Sequence, residues 1–329
     1  MLNAKISGIA SYVPDDILDN EMLSKMVDTN DEWITTRVGI KERRILREEG
    51  KGSSYLGTMA VRRLMKDYNI NPEEIELLIC ATSNPDYRFP STASVIAHEA
   101  ALENAYAYDI QAACAGFLVT MQAARAYIQA GLYKKIIVVC AEKMSSMTDY
   151  EDRATCPLFG DAAAAVLVEP TDEPVGVIDG EFHVDGSGLS HLVMKAGGSV
   201  KPATLETVQA REHYIYQEGR VVYKNAVRDM LSSTLSVMKR NNLSVDDVDW
   251  LVPHQANLRI IEAVSGRTKI DPGKVLVNIQ HYGNTSAASI PLCLDEFKKK
   301  LKKGDRIVMT AFGAGFTWGA MYLIWAFDS

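Results

Sequence analysis

No apolar run in this chain approaches the roughly 20 residues that a membrane-crossing helix needs. The longest, such as Met321-Tyr-Leu-Ile-Trp-Ala-Phe, stop far short of it. The opening residues, Met1-Leu-Asn-Ala-Lys-Ile-Ser-Gly, lack the basic start and apolar centre of a secretory signal. A cytoplasmic protein with no membrane partner is therefore expected. Cysteine is scarce: five in 329 residues, an odd number without paired spacing, which argues against a disulfide framework. The six histidines show no metal-ligand spacing, so no metal is expected. Lysine and arginine (35) are outnumbered by aspartate and glutamate (42), and a net charge of −7 argues against a general nucleic-acid binder.

The remaining composition is that of a folded soluble enzyme, 47% hydrophobic and 23% charged, with length enough for one large core or two intimate ones. Compact apolar runs at 75–81, 136–141 and 162–168 predict buried strands. An amphipathic stretch from Ser53 or Ser54, and further stretches from about Ser91 and from Cys114, predict helices. After Pro170 the alternation restarts, with strands predicted at 177, 248–252, 275–279, 306–311 and 321–326. Helices are predicted over 223–239, 258–265 and 286–302. Such alternation places the chain in the α/β class.

The second half also resembles the first. Glu73-Glu-Ile-Glu-Leu-Leu-Ile matches Asp246-Asp-Val-Asp-Trp-Leu-Val, and Lys135-Ile-Ile-Val-Val-Cys-Ala matches Asp305-Arg-Ile-Val-Met-Thr-Ala. Two halves, 1–172 and 173–329, are expected. The second offset, 305 − 135 = 170, carries Cys114 to Asn284, so a site is expected on a pseudo-twofold axis.

Cys114 stands between a short predicted strand and a helix that runs, apolar nearly all round, to Gly131. Two readings stay open there. It is a small apolar side chain packed in a core, or a thiolate favoured by the positive end of a helix. His254, in Pro253-His-Gln-Ala-Asn, and Asn284, in Gly283-Asn-Thr-Ser, also follow predicted strands. Each alone fits a structural role, a core histidine and a helix cap. Together with a cysteine they match a known nucleophile arrangement at the strand ends where open α/β sheets build sites. Phe312-Gly-Ala-Gly-Phe-Thr-Trp-Gly319 is followed by an aromatic, branched strand, so it is a hairpin and not a dinucleotide loop.

Five motifs in order resemble the β-ketoacyl-[acyl-carrier-protein] synthase III family, thiolase-superfamily condensing enzymes. They are Asp31-Glu-Trp-Ile-Thr-Thr-Arg-Val-Gly-Ile, Gln111-Ala-Ala-Cys-Ala-Gly-Phe, Pro253-His-Gln-Ala-Asn-Leu-Arg, Gly283-Asn-Thr-Ser-Ala-Ala-Ser and Gly315-Phe-Thr-Trp-Gly. The resemblance covers essentially the whole chain. It implies a five-layered αβαβα sandwich of two duplicated halves. It implies a homodimer that needs no cofactor beyond acyl-CoA as substrate and that takes malonyl-acyl-carrier protein as partner. Cys114, His254 and Asn284 would be catalytic, with the backbone N–H groups of Cys114 and Ala314 as oxyanion hole. Thr29, Trp33, Arg37, Arg153 and Asn257 would meet CoA, Arg259 the carrier protein, and Phe89 the primer pocket across the dimer. The implied reaction is a decarboxylating condensation that starts type II fatty-acid synthesis. A related condensing enzyme or acyltransferase of specialised metabolism is the alternative. Alanines after Asp161, where relatives often carry glycine, are expected near the primer pocket.

Overall fold

The computed structural model describes residues 2–328. Two sheets and three layers of helix make the five-layered αβαβα sandwich expected of the thiolase-like class. The first sheet runs in the spatial order Asn3–Tyr12, Ala162–Thr171, Ile136–Glu142, Leu77–Ala81, Tyr106–Ile110. Its last three strands pair in parallel and its first three antiparallel. The second sheet repeats this order with Gly176–Val184, Thr317–Ile324, Arg306–Gly313 and Trp250–Pro253. Its fifth position is reduced to one parallel bridge, Leu251 to Val275. The strand predicted over 275–279 is therefore absent as a strand, and Ile279–Tyr282 is instead a helical turn.

Strand parity sorts side chains between layers, because successive residues point to opposite faces. Ile136, Val138 and Cys140 enter the central core, whereas Ile137, Val139 and Ala141 meet the outer helices Ser53–Asp67 and Thr92–Glu99. Burial on both faces explains why these strands are continuous apolar runs. On the far side, Gly219–Arg240 and Leu258–Thr268 cover the second sheet. The first of these helices starts before the predicted Tyr223, and Leu235, expected on its buried face, is 43% exposed.

The central layer holds two helices, Gly116–Gln129 and Ser289–Phe297, both within the core shared by the two sheets. Each is preceded by a single 3-10 turn, Ala113–Ala115 and Ser286–Ala288. Each turn begins on a residue of positive φ, Ala113 at +46° and Ser286 at +50°. These landmarks correct the mirror relation. The turns superpose at an offset of 286 − 113 = 173, which places Ala287, not Asn284, opposite Cys114. The methyl of Ala287 fills the crossing, since a Cβ on Gly116 would lie 3.0 Å from it and from Ala81. Side chains larger than hydrogen would separate the two turns.

Asn284 is held by a different device. Phe159 bridges Asn284, with Gly160 N–H donating to Asn284 O at 3.1 Å and Asn284 N–H to Leu158 O at 2.8 Å. Behind this bridge lies Arg43, fully buried, whose guanidinium donates to Leu18 O (3.0 Å), Asn20 Oδ1 (2.9 Å) and Pro157 O (2.8 Å). Burial lowers its pKa to about 10, which leaves it charged near neutrality. Arg43→Ala should cost roughly 3 kcal/mol or more, because each buried acceptor left unpaired costs about 1–3 kcal/mol. Urea unfolding checks this; a change under about 0.5 kcal/mol, the level of an ordinary surface substitution, would contradict the clamp.

Candidate active site

One cavity of about 1010 Å³ opens between the halves. Cys114, His254, Asn284 and Ala314 line it, as do Trp33, Arg37, Asn257 and Arg259. Of the remaining sequence candidates, Arg153 lies over the Trp33 ring, 4.7 Å from its centroid, with Arg37 5.9 Å away on the same ring. Thr29 is not among the lining residues, and its hydroxyl is buried without a partner. Phe89 is 87% exposed and lies outside the cavity. Among the described residues no cluster of His, Cys, Asp or Glu has the makings of a metal site. The alanines after Asp161 begin the strand Ala162–Thr171 and are buried; they pack behind the cavity, which Phe159 of the same segment lines.

Cys114 sits in the 3-10 turn, two residues before the regular helix begins at Gly116. Of the five cysteines it alone is not fully buried. The exposed side of its thiol looks into the cavity and not to bulk water. Desolvation therefore dominates and pushes the thiol up to about 12. A hydrogen bond to Ser286 opposes this and the charge of Glu142 adds to it. The thiolate expected from the helix end is not the resting form: a partial charge at a helix terminus does not offset loss of water around sulfur. Sγ donates to Ser286 Oγ at 3.7 Å.

His254 follows the strand Trp250–Pro253, and its N–H donates to Thr310 O on the neighbouring strand at 2.8 Å. Desolvation alone lowers its pKa to about 3, so the imidazole is neutral. Nδ1 lies 2.7 Å from Ser289 Oγ, and the same oxygen accepts a long bond from Gln255 N–H at 3.4 Å. The Ser289 hydroxyl has no other acceptor among the described residues, so its proton goes to Nδ1, which places the imidazole hydrogen on Nε2. Nε2 is buried and without a protein partner. It is a donor held ready for a ligand. Asn284 accepts from Ser286 N–H through Oδ1 at 2.8 Å, which leaves its NH₂ group as a second donor. Its predicted capping role thus becomes a turn that locks the amide's orientation.

The backbone of the Gly-rich hairpin closes the site. A Cβ on Gly313 would lie 2.6 Å from Cys114 N, so the two chains approach at a distance only glycine allows. Asn257 caps the helix Leu258–Thr268 by accepting from Arg259 N–H at 2.9 Å, while the Arg259 guanidinium lies over Tyr223.

Four residues around the site were not singled out by sequence reasoning: Ser286, Ser289 and Gly313, which lie inside the quoted motifs, and Glu142. Glu142 ends the strand Ile136–Glu142 fully buried, accepts from Ser83 N–H at 3.0 Å, and is raised to about 7 by burial. Strand parity would have found it, since 136, 138, 140 and 142 share the inward face.

Comparison with known proteins shows the family. Profiles described as 3-oxoacyl-[acyl-carrier-protein (ACP)] synthase III and its C-terminal part match residues 108–186 and 238–325. The chain is 58% identical to beta-ketoacyl-[acyl-carrier-protein] synthase III 2 of Bacteroides thetaiotaomicron, over 99% of this chain and 98% of that protein. It is 57% identical to the beta-ketoacyl-[acyl-carrier-protein] synthase III of Porphyromonas gingivalis, over the same shares. The crystal structure of 3-oxoacyl-[acyl-carrier-protein] synthase III from Aquifex aeolicus superposes with a TM-score of 0.89 at 42% identity, covering 98% of this chain and all of that one. A duplicated sandwich whose cysteine, histidine and asparagine converge on one cavity, matched along its whole length by these relatives, belongs to the 3-oxoacyl-[acyl-carrier-protein] synthase III family of condensing enzymes.

Proposed function

We propose that this enzyme starts acyl chains by decarboxylating condensation of an acyl-CoA primer with malonyl-acyl-carrier protein. The observation that carries the proposal is the convergence of Cys114 Sγ, the donor Nε2 of His254 and the amide of Asn284 on one cavity. Cys114 attacks the acyl-CoA carbonyl and becomes a thioester. The oxyanion formed there is met by the backbone N–H groups of Cys114 and Ala314, for which the close approach of Gly313 to Cys114 N is the supporting geometry. Malonyl-carrier protein then loses carbon dioxide. The negative charge that develops on its thioester oxygen is stabilised by His254 and Asn284, and the resulting carbanion attacks the acyl-Cys114 thioester. Neutral, preorganised donors suit this step, because they stabilise a new anion without first losing a proton.

Trp33, flanked by the guanidinium groups of Arg37 and Arg153, offers a face for an adenine and charges for phosphates. Thr29 and Asn257 are assigned to the same CoA channel, and Arg259 to the acidic carrier protein. The enzyme works without a further cofactor, in the cytoplasm. Among the described residues no helix is long and apolar enough to cross a membrane. The strand Tyr106–Ile110 is an edge with one neighbour, and an open edge invites a second copy. Phe89 and Tyr87, both exposed, extend the apolar surface available to such a homodimer. Division of the chain at 172/173 puts the nucleophile in one half and both donors in the other. A second reading, a priming role in specialised metabolism, draws on the priming beta-ketosynthase of the R1128 polyketide pathway. That protein is 31% identical, with a TM-score of 0.90 and coverage of 99% and 97% of the two chains. A panel of acyl-CoA primers separates the two.

Cys114→Ala should abolish condensation while still releasing carbon dioxide from malonyl-carrier protein. His254→Ala and Asn284→Ala should each slow that release about 10²–10³-fold, the usual loss of one preorganised donor. Radiolabelled malonyl thioester decides it: no carbon dioxide from the wild type, or full release by both donor variants, would contradict the assignment. Because His254 is neutral down to about pH 3, release should also stay flat between pH 5 and 8. An inflection near the ordinary histidine value of about 6.5 would show that the imidazole titrates.

A further inference from the structure

The Arg153 guanidinium that faces Trp33 is carried on a stretch with little structure of its own. Residues 149–155 lie outside any helix or strand and are folded mostly by bonds within the stretch. Asp149 Oδ1 accepts from Glu151 N–H at 2.8 Å, and Asp152 accepts from Ala154 N–H at 2.9 Å and from the Thr155 hydroxyl at 2.7 Å. Among the described residues, the hydrogen bonds that tie this stretch to a distant part of the chain all come from one side chain, Arg211 of the second half. Its Nε donates to Asp149 Oδ2 at 2.8 Å, its Nη1 donates to Glu151 Oε1 at 3.0 Å, and its Nη2 also pairs with Asp149 Oδ1. Arg153 itself adds an ion pair with the exposed Asp28 at 3.8 Å, and Tyr150 packs part-buried on the core that Trp33 and Ile215 also touch.

Arg211 belongs to a strap, residues 185–218, that runs along the cavity. Leu189, Leu192, Val193, Met194, Ile215 and Gln217 of this strap line it. The strap has almost no core: between Asp185 and Gln217 only Gly188, Ala196 and Thr207 are buried among the described residues. A segment with so few buried contacts opens readily unless polar contacts hold it. Arg211 stands just past the short helix Leu205–Gln209 at φ +59°, a left-handed place usually given to glycine. An arginine there bears a backbone strain that glycine would not, and a fork on two carboxylates offsets it. Asp149 is the better shielded partner, its side chain 13% exposed against 75% for Glu151, and the Arg211 hydrogen bond holds the Asp149 carboxyl below its usual range.

We propose that Arg211 is a positioning residue for the CoA end of the primer. It fastens the strap of the second half to the turn that carries Arg153, so that Arg153 stays over Trp33 while the strap walls the channel. The inference rests on the CoA reading of Trp33, Arg37 and Arg153 given above and deepens it, because the nucleotide end of the site is then assembled by both halves. Arg211 acts through Arg153 and does not itself meet the ligand. Its fork is turned to two carboxylates, and their charge would repel a phosphate brought beside them.

Three variants separate such a clasp from direct ligand contact. Arg211→Ala removes it together with a positive charge. Asp149→Asn removes it together with a negative charge and keeps the oxygen that accepts from Glu151 N–H. Lys201→Ala removes another cation of the strap, one paired with Glu212 inside the strap itself. The primers are acetyl-CoA and acetyl-pantetheine, which lacks the nucleotide. With acetyl-CoA, KM should rise on the order of tenfold in Arg211→Ala and in Asp149→Asn, the usual loss of one charge-assisted contact, with kcat within about twofold of wild type. With acetyl-pantetheine, KM should change by less than about twofold, and Lys201→Ala should follow wild type with both primers. Placed on Arg153→Ala, the Arg211 substitution should add less than about twofold, since a residue that acts only through another then has nothing to act on.

Amide hydrogen exchange reads the clasp without any ligand. Protection over 150–156 should fall about tenfold in Arg211→Ala and Asp149→Asn and hold in Lys201→Ala, while the strands of both sheets keep theirs, which shows that the fold is intact. Equal KM losses with both primers, additive losses with Arg153→Ala, or the same losses in Lys201→Ala overturn the proposal. So does unchanged exchange over 150–156. Asp149→Asn with a wild-type or lower KM for acetyl-CoA also overturns it, because that is the outcome of Arg211 meeting a phosphate directly. Exchange that responds as expected in a wild type to which desulfo-CoA does not bind by calorimetry supports the clasp and contradicts the CoA reading instead.

Discussion

Exclusion of water from the layer between the two sheets governs everything else in this protein. The two central helices and their 3-10 turns lie in one apolar core shared by both halves, and the reactive groups are set at the edge of that core. The same burial that packs Ala287 against Gly116 holds the Cys114 thiol protonated, the His254 imidazole neutral and the Glu142 carboxyl near 7. Each of these groups avoids a permanent charge that the surroundings would not stabilise. A site built this way rests neutral at sulfur and imidazole, and it stabilises charge only where a reacting oxygen develops it.

The two halves contribute unequally to that site. Duplication supplies matching sheets, matching turns and the crossing at Gly116 and Ala287, while chemistry departs from the symmetry. The cysteine occupies one turn, and its mirror position carries an alanine whose small volume lets the turns meet. Asn284 reaches the cavity from the segment before the mirror turn, clamped through Phe159, Leu158 and ultimately Arg43. His254 comes from a strand end, with Ser289 on the second central helix setting its tautomer. Three elements of one half thus converge on one residue of the other.

Much of this was legible in the chain itself. The matched segments at 73 and 246 and at 135 and 305 fall on strands that occupy equivalent places in the two sheets, because buried strands need long apolar runs that leave a pattern. The motifs around Cys114, His254 and Asn284 placed all three at one cavity. What escaped depends on three-dimensional surroundings. The two matched pairs differ in offset, 246 − 73 = 173 against 305 − 135 = 170, and only the turns at Ala113 and Ser286 show that 173 applies at Cys114, the three residues being lost between there and the strand at Ile136. The helix Ser53–Asp67 has Gly52 at its N-cap, and the side chain that accepts from its first turn is Asp86, bonded by Ser54 N–H from 32 positions away, so no local pattern revealed it. The ionisation of Cys114 reversed because helix polarity is visible in a sequence and desolvation is not. Glu142 looked like the polar end of a strand, though its parity already pointed inward.

The central claim is that a buried, protonated thiol at the meeting of two duplicated halves is the nucleophile. Incubation with isotopically labelled acetyl-CoA, followed by intact mass and peptide mapping, tests it directly. The account predicts one labelled acetyl group per chain, on Cys114 alone and labile to hydroxylamine as a thioester should be. Label on another residue, or equal labelling of Cys114→Ala, would contradict it.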